Sequence, residues 1–511
     1  MAVPSYLLLP LFALACVYLL VNNGLFCRSQ TQARGPSSLS ADSPALQQFH
    51  AWLEAFNTLD RDTLAAYHAD HFPYDVASDD VANIDREVGL SRHTGGFLFV
   101  QAETPCESED GDRNGMMRIL LREKKRPQYA RVAIQVNSTQ ADHPVTKFEI
   151  GPTTTPVRYA PEERKKEYEK ALAPLTQEMK RKIVAELCEV VREQYVFPET
   201  GDKIISQLQA NEIGGDYRGY MDSEDWAKRL TKDMVAVSND KHIRVIFSTP
   251  PPNLGAVDER DPPGLFEALK DINFGFGAPL IEAVGGKKIG IIRIDGFVPL
   301  MSMSRKRADD PKIHKAIGDI ISHVADTDAL LMDLRKNGGG VPETVAYILS
   351  YFLDDGPVHL TNFVDRDGVV RESFSTLPAS ELPSDTDRFG GSKPLFVLTS
   401  EHTASGGEEM AYNLQALQRA TAIVGTHNTT AGAANPVMRM SSICDEDFGP
   451  GWWRVGIPDM QPMNAITKGN WEGVGVKSDV VVERDQDPVD VATRLALKAL
   501  EAVVEVTVQA N

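Results

Sequence analysis

A serine at a strand-to-helix junction is the first place in this chain where chemistry is legible. Residues 394–399 (PLFVLT) form a continuous apolar run, which reads as a buried strand. The run ends in Ser400-Glu401-His402-Thr403-Ala404-Ser405-Gly406-Gly407-Glu408-Glu409, and a helical pattern over 410–417 follows. Ser405 therefore presents its hydroxyl at the edge of a sheet, with the Gly406 N–H beside it. A second apolar run, 329–334 (ALLMDL), leads directly into Arg335-Lys336-Asn337-Gly338-Gly339-Gly340. Three glycines after a buried strand let backbone N–H groups converge on one point, because no Cβ restricts φ. The Gly406 N–H and one from Gly338 or Gly339 can then stabilise an oxyanion. The structural alternative is helix capping by Thr403 and Ser405, with Glu408 completing a capping box. Spacing alone leaves both readings open. Glu408 and Glu409 are expected to pack at the helix start rather than to catalyse. His402 and His427 lie near the serine in sequence and are fallback bases.

These loops need a rigid frame. Residues 288–294 (KIGIIRI) and 421–425 (TAIVG) add strands, so strand, loop and helix alternate through the C-terminal half. That order predicts an α/β core with ligand chemistry at the strands' C-terminal ends. Upstream, Ile183, Val184, Leu187, Val190 and Val191 form an apolar helical stripe. Tyr195-Val196-Phe197-Pro198 stops it, since proline disfavours helix at the residue before it. With two shorter helical patterns, over 204–208 and 226–237, this reads as a small helical bundle over 157–250. It ends in Ser238-Asn239-Asp240-Lys241-His242 and an alternating strand, 243–247. Before it, Leu46, Phe49, Leu53 and Phe56 mark one helical face behind Ser43-Pro44, and strand-like runs follow at 96–101, 116–123, 129–137 and 146–151. Helices first and antiparallel strands after predict an α+β domain over 43–155. His50, His68 and His71 within it read as surface or helix-end histidines; lining a cleft is the alternative.

Composition narrows the function. The chain has 511 residues and a net charge of −19, which argues against binding nucleic acid or anionic membrane through bulk charge. Five scattered cysteines (Cys16, Cys27, Cys106, Cys188 and Cys444) contain no CxxC pair, which excludes a zinc ribbon and leaves room for one disulfide at most in the body. No HExxH, Walker loop or GxSxG is present, so no metal or organic cofactor is implied and an α/β-hydrolase elbow is disfavoured. Residues 6–21 are uncharged and apolar, close to the ~20 needed for a span. Residues 1–27 read as a signal-anchor, with a cleaved signal peptide as the alternative, and 28–42 as a polar linker. The body is expected to be membrane-anchored or secreted, outside the cytoplasm.

Three blocks carry a resemblance: DLRKNGGG, LTSEHTASGGEEMAYNLQALQRATAIVGTHNTTAGAANPV and AITKGNWEGVGVKSDVVV. Together they resemble the tail-specific, or C-terminal-processing, serine proteases, in the branch of interphotoreceptor retinoid-binding protein and the tricorn core. The resemblance implies a crotonase-like α/β fold, a spiral of strands and helices, over 280–505. Ser405, in TASGGE, matches the family's nucleophile. The position of the family's lysine base is Thr430 here, so this chain departs from the Ser–Lys pattern. His242, in DKHIRV, matches the histidine base of the tricorn-like variant, and Glu472, in WEGVGV, matches its acid. The variant's serine before that histidine is Lys241 here, which bears on how acid and base are linked. In the leading reading Gly339 and Gly406 donate to the oxyanion. Residues 43–155 resemble, in pattern, the SnoaL-like (nuclear-transport-factor-two-like) cone fold. The implied activity is a serine peptidase acting through an acyl-enzyme on a peptide or protein substrate, with a homo-oligomer as an option. The alternatives are a carrier of apolar ligands, or a docking module, on the same fold.

Overall fold

The computed structural model of the chain describes residues 27–28, 43–72, 80–103, 107–108, 116–220, 222–250, 266, 269–270, 272–300, 311–354, 356–438, 440–483 and 485–510. The apolar run at 6–21 lies outside them. Among the described residues no helix is long and apolar enough to cross a membrane.

The N-terminal unit packs three helices, α1 (Pro44–Asn57), α2 (Arg61–His71) and α3 (Asp80–Thr94), on a four-stranded antiparallel sheet. Its strands β1 (Phe97–Glu103), β2 (Met116–Glu123), β3 (Tyr129–Val136) and β4 (Val145–Thr153) lie in sequence order. Proline in the first turn starts α1. Asp60 caps α2 by accepting the Thr63 N–H at 2.9 Å. Phe49, Trp52 and Phe56 from α1 meet Ile119, Leu121, Val132 and Ile134 from the sheet in one buried cluster.

The helical layer follows as α4 (Gln177–Gln194), α5 (Pro198–Gly214) and α6 (Ser223–Ser238). Ile183, Val184, Leu187 and Val191 of the α4 stripe are buried, as the spacing predicts. Asn239 ends α6 in the left-handed conformation, φ 58°, which turns the chain into Asp240–His242 and β5 (Arg244–Phe247).

The main sheet holds the mixed strand order that positions the site. Strands β6 (Leu280–Val284), β7 (Lys287–Arg293), β8 (Ala329–Asp333), β9 (Leu395–Thr399) and β10 (Ala422–Gly425) are joined by a short edge strand, Val480–Val481. Their spatial order is edge–β10–β9–β8–β7–β6, all parallel except β6. β8 and β9 are buried throughout, because helices cover both faces. Leu330 and Met332 pack toward α7 (Pro311–Ala325), α8 (Pro342–Leu349) and α9 (Gly406–Ala416), while Ala329 and Leu331 pack toward α10 (Pro488–Ala510). The fold is therefore multidomain with an α/β core.

One segment departs from the expected partition. β11 (Met440–Ile443) and β12 (Trp453–Gly456) leave the catalytic half and pair with β5 in a three-stranded antiparallel sheet, order β11–β12–β5. Trp452, Trp453, Val455 and Ile457 share a buried cluster with Trp226, Leu230 and Met234 of α6. The boundary at residue 250 thus does not separate two packing units, since residues 440–457 complete the core of the helical layer. Cys188 and Cys444, both buried there, are free thiols.

Candidate active site

β8 and β9 are adjacent and parallel, with Asp333 opposite Leu398, so the segments leaving their C-terminal ends run side by side. Three hydrogen bonds stitch them. Thr403 Oγ1 donates to the Leu334 carbonyl at 2.8 Å, Ser400 Oγ to the Arg335 carbonyl at 2.5 Å, and the Ala404 N–H to the Asn337 carbonyl at 2.9 Å. Ser405 then takes φ 53° and ψ −120°. That conformation costs a non-glycine residue ~1–3 kcal/mol and persists only when its surroundings enforce it. Here they do, and the outcome is geometric: Ser405 Oγ stands 3.2 Å from His242 Nε2. A cap alone would not need the strain.

His242 arrives from the other sheet, at the entry to β5. Burial, with the Arg244 charge beside it, pushes its imidazole down to about 3. The ring is neutral at working pH and can accept a proton at Nε2. Its Nδ1 is buried and has no hydrogen-bond partner among the described residues.

The glycine loop corrects one expected oxyanion donor. The Gly339 N–H donates to Asn337 Oδ1 at 2.8 Å, so it is turned away from the serine. Gly339 serves by being small: at φ +107°, a Cβ there would stand 2.6 Å from Ser405 Cβ. The next residue has the free donor. Phe297 bonds to the loop on either side of Gly340, through the Gly339 carbonyl and the Val341 N–H, both at 2.9 Å. The Gly340 nitrogen lies 3.1 Å from where a Cβ on Gly406 would stand. Neither the Gly340 nor the Gly406 N–H has an acceptor among the described residues. The sequence signal for Gly340 was present, in the run of three glycines, but which N–H faces the site depends on Asn337.

The expected acid makes its hydrogen bonds to the 434–435 main chain. Glu472 Oε2 accepts the N–H groups of Ala434 at 2.6 Å and Asn435 at 3.1 Å, and no bond joins it to His242 among the described residues. Burial, then the neighbouring Asp240 charge, push Glu472 up to about 7. Lys241, standing where the tricorn-like pattern has a serine, donates from its ammonium to the Ala431 carbonyl. Asp240, missed in the sequence, lies closer to the base: its Oδ1 accepts the His242 N–H at 3.0 Å.

Glu408 does more than pack. One oxygen accepts from Thr430 Oγ1 (2.5 Å) and the Gly432 N–H (2.6 Å), the other from the Ala433 N–H (2.8 Å) and the Ser405 N–H (3.0 Å). Burial pushes its carboxyl up to about 7 against those four donors. Thr430, standing where the family's lysine is expected, thus belongs to the support of the serine turn. The fallback histidines are not at the site: half-exposed His402 and His427 both lie against Glu401. In the N-terminal unit His50 is exposed and His71 stacks on Tyr67, whereas His68, expected near the surface, is buried against Glu87. Among the described residues no group of three or more His, Cys, Asp or Glu could hold a metal ion.

The model of peptidase family S41 matches residues 288–482, and that of the N-terminal domain of peptidase S41 in eukaryotic IRBP matches 169–273. A tail-specific protease of Haemophilus influenzae is 26% identical over 202 residues, 39% of this chain and 25% of that protein. A carboxy-terminal-processing protease of Bartonella bacilliformis is 30% identical over 243 residues, 45% of this chain and 50% of that one. The chain thus spans a quarter to a half of these curated relatives. Among solved structures, the photosystem II D1 C-terminal processing protease shares 15% identity over 60% of this chain and 94% of its own, with a TM-score of 0.36. Tricorn protease shares 12% over 79% and 46%, with a TM-score of 0.37. The two family models match in order along the chain and take in the serine, the glycine loop and the histidine, and the chain belongs to peptidase family S41, with homologues among the tail-specific and C-terminal-processing proteases.

Proposed function

We propose that this protein is a serine peptidase that hydrolyses peptide bonds through an acyl-enzyme, using Ser405 and His242 without the family's lysine. The observation that carries the reading is the 3.2 Å contact between Ser405 Oγ and His242 Nε2, made by a serine held at φ 53°. A serine hydroxyl is a weak nucleophile until an adjacent base takes its proton. Ser405 Oγ attacks the scissile carbonyl carbon while its proton passes to His242 Nε2. The carbonyl oxygen becomes an oxyanion, stabilised by the Gly340 and Gly406 N–H groups. As the C–N bond breaks, the Nε2 proton goes to the leaving amine, and an acyl ester remains on Ser405. Water, deprotonated by the same nitrogen, then attacks the ester and frees the serine.

In this reading Glu472 is not the hydrogen-bond partner of the base. A carboxylate on Nδ1 would stabilise the imidazolium; here the neutral ring is favoured by burial. The catalytic half is read as crotonase-like and residues 43–155 as a SnoaL-like unit, on the element order of each. The substrate is a peptide or protein, and the apolar run at 6–21 supports a body held outside the cytoplasm at a membrane.

A fluorophosphonate probe tests the reading. The wild type is expected to label on one site and Ser405→Ala not at all. A folded wild type that stays unlabelled, under conditions where a known serine peptidase labels, would sink it.

A further inference from the structure

The base and the nucleophile come from different sheets, so something must fix the distance between them. The segment 430–435 (TAGAAN) runs between the two, and three carboxylates grip it, two buried (Glu408 and Asp240) and one half-buried (Glu472). Glu408 takes the N–H groups of Gly432 and Ala433 together with that of Ser405. Glu472 takes those of Ala434 and Asn435. Asp240 takes the Asn435 side-chain Nδ2 at 3.0 Å on Oδ2 and the His242 N–H at 3.0 Å on Oδ1. Asp240 is 1% exposed and Asn435 is 0% exposed. Tyr195 OH adds a longer bond to Asp240 Oδ2, 3.3 Å. Hydrogen bonds, buried or part-buried, and the 432–435 backbone between them thus join the Ser405 main chain to the His242 main chain.

We propose that Asp240 is a positioning residue of this site: paired with Asn435, it holds the main chain at His242 against the 430–435 segment and so sets the reach of Nε2 to Ser405. The inference rests on the reading of Ser405 and His242 as a peptidase pair. Asp240 acts through the backbone, on the side of the ring where no partner holds Nδ1. A ring anchored at Nδ1 would tolerate a looser backbone. A ring with its Nδ1 unpartnered depends on where its Cα is put, and a misplacement of about 1 Å can cost ~10²-fold in rate.

The pairing can be reversed, which gives the test. In the full-length chain, Asp240→Asn turns the pair into two amides, which can bond only if Asn435 rotates to offer its Oδ1, an atom without a partner among the described residues, and Asn435→Asp sets two carboxylates together. The double variant restores one donor and one acceptor with their sides exchanged. The fluorophosphonate rate constant, taken per folded molecule, is expected to fall roughly 10- to 100-fold in Asn435→Asp and by less in Asp240→Asn. The double is expected to regain at least about tenfold over Asn435→Asp. Histidine labelled with ¹³C at Cε1 gives a second readout, independent of labelling: the His242 titration should move in the singles and return in the double. Tyr195→Phe removes only the longest bond to Asp240 and serves if the singles do not fold; a small move of the same titration is then expected. Single variants that label at the wild-type rate with an unmoved His242 titration would overturn the proposal, as would losses that the double does not repair. If the wild type itself does not label, the peptidase reading falls, and the His242 titration still decides whether Asp240 positions the ring.

Discussion

Two buried histidines sit in different regions of this molecule and differ in what faces them. His68, on α2 of the N-terminal unit, stands 3.3 Å from Glu87 Oε1 and stacks on Phe72 at 4.4 Å. The other Glu87 oxygen accepts the Trp52 Nε1–H at 2.8 Å. His242 faces a serine hydroxyl and has no carboxylate on its ring. A histidine next to a carboxylate inside an apolar layer is a structural polar contact. A histidine without one is kept neutral by burial, which is the state a general base needs. Burial and a carboxylate therefore do not by themselves mark a catalytic imidazole; the group on the far side of the ring does.

Swapping alanine into each position gives the largest contrast. His242→Ala should lower the fluorophosphonate rate constant by about 10²–10⁴-fold, the usual worth of a positioned general base. His68→Ala should leave the rate per folded molecule unchanged within about twofold. It removes a partner from buried Glu87, so it should instead destabilise the N-terminal unit by about 3 kcal/mol. Comparing labelling with thermal melts for both variants separates the roles. A His68→Ala variant that melts normally but labels slowly would mean that the N-terminal unit acts on the site.

The same contrast shows what the sequence could disclose. Ser405 was legible in place but not in role: a buried strand followed by small residues and a helix puts one side chain at a strand end, spacing left helix capping open, and the family resemblance marked the nucleophile. His242 was not legible from spacing; it required the family resemblance, because base and nucleophile are 163 residues apart in the chain. Gly340 was obscured by Asn337, whose side chain takes the preceding N–H and leaves the next one free. Asp240 and Asn435 carried no local signal at all: an Asp after a helix reads as a turn residue, and only the return of 434–435 across the site gives it a second partner. Residues 440–457 lie in the sequence range of the catalytic half yet pack against the helical layer, a placement with no local signal either.

The two histidines also sharpen an expectation about pH. An unperturbed histidine base, with a pKa near 6.5, is about 10% neutral one unit below it, so its rate falls roughly tenfold between neutral pH and pH 5.5. The His242 value is pushed down to about 3, by burial first and the Arg244 charge second. A lowered value keeps the ring unprotonated as pH falls, so its own acid limb should lie well below pH 5.5. Glu408 and Glu472, each pushed up to about 7, are the groups that change charge in between. The expected profile of the labelling rate is therefore shallow from pH 7.5 to 5.5, with any bend near 7 belonging to the carboxylates. Glu472→Gln should remove part of a bend near 7 and leave a bend near 6.5 untouched. A full tenfold fall centred on 6.5 would show that His242 is solvated and ordinary.

The smallest effect concerns Glu409, which shares the first turn of α9 with Glu408 but takes no part in gripping the 430–435 segment. It is 3% exposed, and burial, with Glu343 adding to it, pushes its carboxyl up to about 8. The folded chain therefore keeps this proton at pH values where the unfolded chain has released it, near 4.5. Stability from this group falls as pH rises from about 4.5 to 8 and levels off above, because the folded state binds more protons across that window. Glu409→Gln removes the titration and keeps the shape. Its melting temperature relative to wild type should rise as pH goes from 5 to 8, by a few degrees at most, and stay flat from 8 to 9. An offset that does not change with pH would mean that Glu409 ionises as an exposed glutamate does. The two adjacent carboxylates would then differ in hydrogen bonding alone, and not in how burial treats them.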